Sequence, residues 1–144
     1  MTMHTLKLEA NWNGAFNSFG NFKCAGLTSD ISVPKEFGGK GVGTNPEELL
    51  LAAAANCYMI TLVAVLQYEG INFNSINLNS IAAFEFNQGP IIKSIKHFSK
   101  IFVKQKIDEN KIQRCILKAE ESCMVSIALK GNVALSVSNL IEEL

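Results

Sequence analysis

Four cysteines carry the reactive chemistry this sequence can offer: Cys24, Cys57, Cys115 and Cys123. No C-x-x-C pair occurs, and neither His4 nor His97 is spaced to complete a zinc site, so no metal centre and no bound cofactor is expected. MTMHTLKLEA at the start lacks the charged and apolar regions of a secretory signal, which places the chain in the cytoplasm by expectation. A structural disulfide framework is disfavoured in that reducing setting, leaving buried thiols or redox chemistry. Cys57 lies in the middle of an apolar run, where desolvation by itself raises a thiol above its ordinary pKa of about 8.5. The nucleophile is the thiolate, so a reactive Cys57 needs a neighbouring cation or hydrogen-bond donors. The default role of a cysteine is that of a small buried hydrophobe, and Cys24 and Cys115 are assigned to it.

The elements that position these residues can be read from pattern. The run LLLAAAANCYMITLVAVL (Leu49 to Leu66) holds Cys57 and no charge. It is close to the length of a membrane span, but Asn56 near its centre and flanks without lysine or arginine favour the buried central helix of a soluble fold. Thr44-Asn45 can cap this helix, Pro46 suits its first position, and Glu47 and Glu48 favour the positive end of its dipole. It is expected to run to about Tyr68 and to stop near Gly70. Before it, Leu6 and Leu8 begin a strand region in which Trp12-Asn13-Gly14 and Phe19-Gly20-Asn21 read as turns or bulges, and Ile31 and Val33 close a third strand. EFGGKGVG (Glu36 to Gly43) lacks the order of a phosphate-binding loop and reads as a flexible approach to the helix.

After the helix, period-two alternation predicts two long strands, Ile76 to Phe86 and Ile92 to Ile107, around a Gln88-Gly89-Pro90 turn. Ile112, Cys115, Ile116 and Ala119 sit at helical spacing, a short helix from Ser122 to Leu129 follows, and Val133, Leu135 and Val137 form a last strand. The predicted order is β-β-β-α-β-β-α-α-β, an α+β fold in one domain over residues 1–144. The chain has 144 residues, with 48% hydrophobic and 18% charged residues, and thirteen lysines and arginines balance thirteen acids. The apolar content and the lack of a charge block exclude disorder, and the charge balance argues against a nucleic-acid binder.

GTNPEELLLAAAANC (Gly43 to Cys57) and SCMVSIALKGNVAL (Ser122 to Leu135) resemble the two cysteine-bearing segments of the OsmC/Ohr family of thiol peroxidases, and SVPKEFGGKGVG resembles the lead-in loop of the Ohr branch. The resemblance implies an intertwined homodimer and reduction of organic hydroperoxides by a two-cysteine cycle. It implies that Cys57 is the peroxidatic cysteine, passing through a sulfenic acid, and that Cys123 resolves it as a Cys57–Cys123 disulfide. It further implies a dithiol reductant of lipoyl type, and that Glu47, ten residues before Cys57, orients a cationic side chain near the thiolate.

The cation departs from the family pattern. The Ohr branch takes an arginine from its first hairpin, but here that stretch is NWNGAFN (Asn11 to Asn17), and the one arginine is Arg114. Where the OsmC branch has its arginine, this chain has Lys35 and Lys40. A lysine lacks the planar fork of an arginine. Lys35 is the chosen substitute, with Arg114 or no cation as the alternatives. Met124 also stands where the family often has proline. The peroxide pocket is expected to be apolar, lined by Phe and Met. The competing expectation is a non-catalytic protein on the same fold that binds a small hydrophobic ligand or senses redox state, with a protonated Cys57.

Overall fold

The computed structural model describes residues 1–144, which fall into two compact units, Met1–Leu50 and Leu51–Leu144. In the first unit β1 (Glu9–Asn13), β2 (Phe19–Cys24) and β3 (Leu27–Ile31) form an antiparallel sheet in the order β1-β2-β3. Phe19-Gly20-Asn21 is therefore strand rather than turn. Gly20 pairs with Trp12, and a side chain there would run into the Asn11 carbonyl and the Trp12 ring. The glycine marks a close cross-strand approach, which sequence alone does not distinguish from a turn.

The glycine-rich loop is also more ordered than expected. It opens as a short 3-10 turn, Lys35–Phe37, and then folds back along β3. Thr44 donates its N–H to the Asp30 carbonyl at 2.9 Å, and the Ser32 hydroxyl both donates to the Val42 carbonyl at 2.8 Å and accepts from the Val42 N–H at 2.6 Å. Gly43 has φ +67 and faces the Asp30 carbonyl where a side chain would collide, so the clamp requires glycine there.

α1 (Pro46–Tyr68) starts where the capping residues predict. The Asn45 side chain accepts the Glu48 N–H at 2.9 Å, and the Glu48 carboxylate accepts the Thr44 hydroxyl at 2.8 Å. The helix ends before Gly70, which takes φ +69.

In the second unit β4 (Ser75–Glu85), β5 (Ile91–Val103) and β6 (Ala134–Glu143) form a sheet in the order β4-β5-β6. β4 and β5 are antiparallel, while β5 and β6 are parallel. A parallel neighbour needs a long crossover, here α2 (Glu109–Ser122) and α3 (Met124–Leu129). Asp108 caps α2 by accepting the Asn110 N–H at 2.9 Å.

The core gathers Leu62, Val65 and Leu66 of α1, Ile101 and Val103 of β5, and Ile112, Cys115, Ile116 and Ala119 of α2. Cys115 is thus a core hydrophobe, whose thiol burial pushes upward, whereas Cys24, at the end of β2, is only half-buried. The burial of α1 is one-sided. Ala54, Tyr58, Leu62, Val65 and Leu66 are buried, while Ala52, Ala53, Asn56, Ile60 and Ala64 are exposed. By length and composition α1 is long and apolar enough to cross a membrane, and its buried stripe packs in this core.

Candidate active site

Cys57 lies at the edge of the buried stripe of α1, next to Tyr58, half-buried and packed against the core. Cys123 is fully buried and occupies the break between α2 and α3. Its backbone is extended (φ −68, ψ 120), which ends one helix and begins the next. Its N–H donates to the Glu120 carbonyl at 3.4 Å, and its carbonyl accepts the Ile127 N–H at 2.9 Å. The first N–H groups of α3, at Met124 and Val125, have no partner within the helix and are free to meet an anion.

These features converge on one sulfur. Burial by itself pushes the Cys57 thiol up. It is outweighed by hydrogen bonds from the Cys123 thiol, from the Val125 and Met124 backbone N–H groups and from the Thr61 hydroxyl, so Cys57 is held below the ordinary thiol value. The single Thr61 hydroxyl proton is shared with the Cys57 carbonyl, to which it donates at 2.8 Å, so its contribution at the sulfur is the smallest of these. Cys123 moves the opposite way. Burial pushes it up, and so do its hydrogen bond to Cys57 and the Cys57 charge, against a smaller contribution from the Ser126 hydroxyl and N–H. The pair therefore favours a thiolate on Cys57 and a proton on Cys123.

Behind the pair lies a buried polar group. Tyr58 stacks on His97 at 4.8 Å and 5° between planes, and His97 Nδ1 lies 2.7 Å from the Ser80 hydroxyl. Burial raises Tyr58 to about 12, with Ser99 easing its ionisation and Glu120 and Cys123 opposing it. The Tyr58 hydroxyl has no partner in good hydrogen-bond geometry, the Ser99 contact being weaker. His97 is pushed down by burial and stays neutral near pH 7.

Of the four residues that the sequence assigned to the site, the structure brings Cys57 and Cys123 together. Glu47 and Lys35 belong to the first unit. Glu47 sits in the first turn of α1 with Oε2 buried and without a partner. Lys35 lays its stem over Gly41 and lines a cavity of about 320 Å³ together with Glu48, Ser32 and Thr44. Arg114 is exposed on α2, where it acts on Cys115 and is not among the groups acting on Cys57. Within the second unit no lysine or arginine side chain supports the Cys57 thiolate. The residues flanking Cys123 form a cavity of about 300 Å³ lined by Glu120, Glu121, Ser126, Ile127, Lys130, Val133 and Leu135. Its apolar wall is aliphatic.

The OsmC-like protein family model matches residues 38–138, a span that includes both cysteines of the pair. The chain belongs to this family. It is 37% identical over 141 residues to the uncharacterized protein YmaD of Bacillus subtilis, covering 95% of this chain and 94% of that protein. It is 29% identical over 118 residues to the organic hydroperoxide resistance protein of Xanthomonas axonopodis pv. citri, covering 78% of each. Among solved structures, the organic hydroperoxide resistance protein OsmC of Legionella pneumophila superposes with a TM-score of 0.79 at 25% identity, over 96% of this chain and 98% of that one. The family read from the two cysteine segments holds, and so does the α+β fold, which the structure builds from two sheets and three helices. Members of the family are associated with organic hydroperoxide resistance.

Proposed function

We propose that the protein is a thiol peroxidase that reduces organic hydroperoxides through Cys57 and Cys123. The observation that carries this reading is the placement of Cys57 against the buried cluster that holds Cys123, with Cys57 favoured as thiolate and Cys123 as thiol. The Cys57 sulfur attacks the peroxide oxygen, the O–O bond breaks, and a sulfenic acid and an alcohol result. Cys123 then condenses with the sulfenic acid to a disulfide and water, and an external dithiol of lipoyl type returns both thiols by exchange. Resolution by Cys123 is supported by the packing of Cys57 against the buried cluster that contains Cys123. The competing reading, a protonated Cys57 in a binding or sensing protein, runs against the direction in which the Met124 and Val125 N–H groups push that thiol.

A homodimer in the cytoplasm completes the reading. It is supported by the exposed apolar face of α1, with Ile60 at 70% exposure, and by Trp12, Phe16 and Phe19 exposed in the first unit. Glu47 and Lys35 are proposed to aid catalysis. The unpartnered Glu47 oxygen supports a role beyond favouring the helix dipole.

The test is consumption of cumene hydroperoxide with dihydrolipoamide as reductant. Cys57→Ser is expected to abolish turnover, and Cys123→Ser to allow one oxidation of Cys57 and then stall. Wild-type turnover in Cys57→Ser would overturn the mechanism. No turnover in the wild type, with Cys57 still alkylatable after peroxide, would favour the binding protein.

A further inference from the structure

The cavity at the α2–α3 break holds two oxygens that the rest of the molecule leaves unanswered. Glu120 Oε1 and Ser126 Oγ are both buried, and neither has a hydrogen-bond partner. Both residues line the same cavity of about 300 Å³. Ser126 is 3% exposed, and its contact with Cys123 is too poor in geometry to satisfy the hydroxyl. Buried polar atoms without partners are rare in native proteins because each has given up its water for nothing. Two of them in one cavity point to a ligand that supplies donors.

The charges around these atoms set the sign of what fits. Glu120 and Glu121 bring two carboxylates to the lining and Lys130 brings one ammonium, a formal balance of one negative charge. The ion pairs of the molecule join Lys93 to Glu85, Lys100 to Glu142 and Lys118 to Glu69, so Lys130 pairs with neither glutamate of the cavity. An anion is therefore disfavoured. A hard metal ion fits no better, because it needs about six oxygen ligands. The remaining wall is Ile127, Val133 and Leu135. These aliphatic side chains give a water cluster no partners and give a hydrocarbon a favourable surface.

We propose that this cavity binds a small aliphatic amine in its ammonium form. An ammonium has three N–H donors and no acceptor. One donates to Glu120 Oε1, a second to Ser126 Oγ, and the third stays with water on the side where Glu121 and Lys130 are exposed. The hydrocarbon tail lies along the aliphatic wall, and the ligand's charge balances that of the lining. A cavity of this volume is at the lower end of small-molecule sites, which suits a ligand of a few carbons. The site stands apart from the reading of Cys57 as a peroxide-reducing thiolate. Glu120 and Ser126 nevertheless flank Cys123 at three residues on either side, and the Glu120 carbonyl accepts the Cys123 N–H at 3.4 Å. A bound ammonium thus ties the end of α2 to α3 across the break that Cys123 occupies.

Titration of the whole protein with n-butylammonium, followed by backbone amide NMR shifts, tests the site. The expected Kd is on the order of 1 mM, as suits so few heavy atoms, with the largest shifts between Glu120 and Leu135. Two probes separate charge from hydrogen bonding. n-Butanol lacks the charge, tetramethylammonium lacks the N–H donors, and each is expected to bind at least ~10-fold more weakly. Glu120→Gln, which keeps the side-chain shape, is expected to weaken n-butylammonium by at least ~10-fold. Ser126→Ala is expected to weaken it roughly 5-fold and stands in if the glutamine variant fails to fold. The absence of saturable shifts up to about 100 mM overturns the proposal. So does equal binding of tetramethylammonium, or undiminished binding by the variants. Any of these failures leaves the cumene hydroperoxide result, and with it the peroxidase reading, untouched.

Discussion

The two sheets are each three strands long, and they end in opposite circumstances. In the second, β5 buries Ile95, His97, Ser99, Ile101 and Val103 along one face, with α1 and α2 contributing to the same core. In the first, every residue of β1 is exposed, and Gly20 and Phe22 are the residues of β2 that are buried. Trp12, Phe19 and Leu27 remain exposed. Strand alternation gives a sheet an apolar face, but it does not supply what that face packs on. A small sheet with uncovered apolar residues calls for a cover, and the proposed homodimer would provide one.

The largest expected effect tests the covered side. Leu62→Ala or Ile116→Ala, each fully buried, is expected to lower stability by about 2–5 kcal/mol in urea unfolding. A loss below 1 kcal/mol would mean the second unit is no better packed than the first.

A middle-sized effect tests the bare side. Trp12→Asp with Phe19→Asp is expected to weaken self-association at least tenfold, about 1.4 kcal/mol, by sedimentation across a dilution series. The near-UV signal of Tyr58 in the core should persist. Unchanged association would leave the first sheet without its proposed cover.

The smallest effect concerns the polar cost inside the covered sheet. His97 is pushed down by burial, so below pH about 6.5 the unfolded chain takes up a proton that the folded chain refuses. Stability therefore falls as pH drops through that value, by no more than ~1.4 kcal/mol per pH unit for one group, until the folded imidazole is protonated too. His97→Gln, able to keep a hydrogen bond to Ser80, should flatten the slope. An equal slope in the variant would assign the pH dependence to other groups.

Much of this was legible in residue order. The capping run Thr44-Asn45-Pro46, the stop at Gly70, the alternation of β4 and β5, and the helical spacing of Ile112, Cys115, Ile116 and Ala119 are local signals, and the elements follow them. Misreadings arose where the deciding partner is distant in sequence. Gly20 reads as a turn until Trp12 is laid across it, and the glycine loop reads as flexible until Ser32 and Asp30 clamp it. The site divides in the same way. The two cysteine segments marked Cys57 and Cys123, but the donors that favour the thiolate include the backbone N–H groups of Met124 and Val125, which leave no residue signature. The chemistry of Cys57 calls for a cation or hydrogen-bond donors, and residue types reveal the first but not which backbone N–H groups supply the second. Tyr58 and Thr61 were visible beside Cys57, yet only the fold turns them toward Cys123 and the sulfur.

The separation of the paired cysteines along the chain has a consequence in polymer terms. A bond between Cys57 and Cys123 closes a loop of roughly 65 residues, containing both long strands and α2. Chain-entropy arguments assign such a cross-link about 4 kcal/mol, by removing open conformations from the unfolded ensemble. Each catalytic cycle would then carry the protein between a looser reduced form and a tighter oxidised one. The molecule would be hardest to unfold just after meeting a peroxide, and the reductant that restores activity would also return that extra stability.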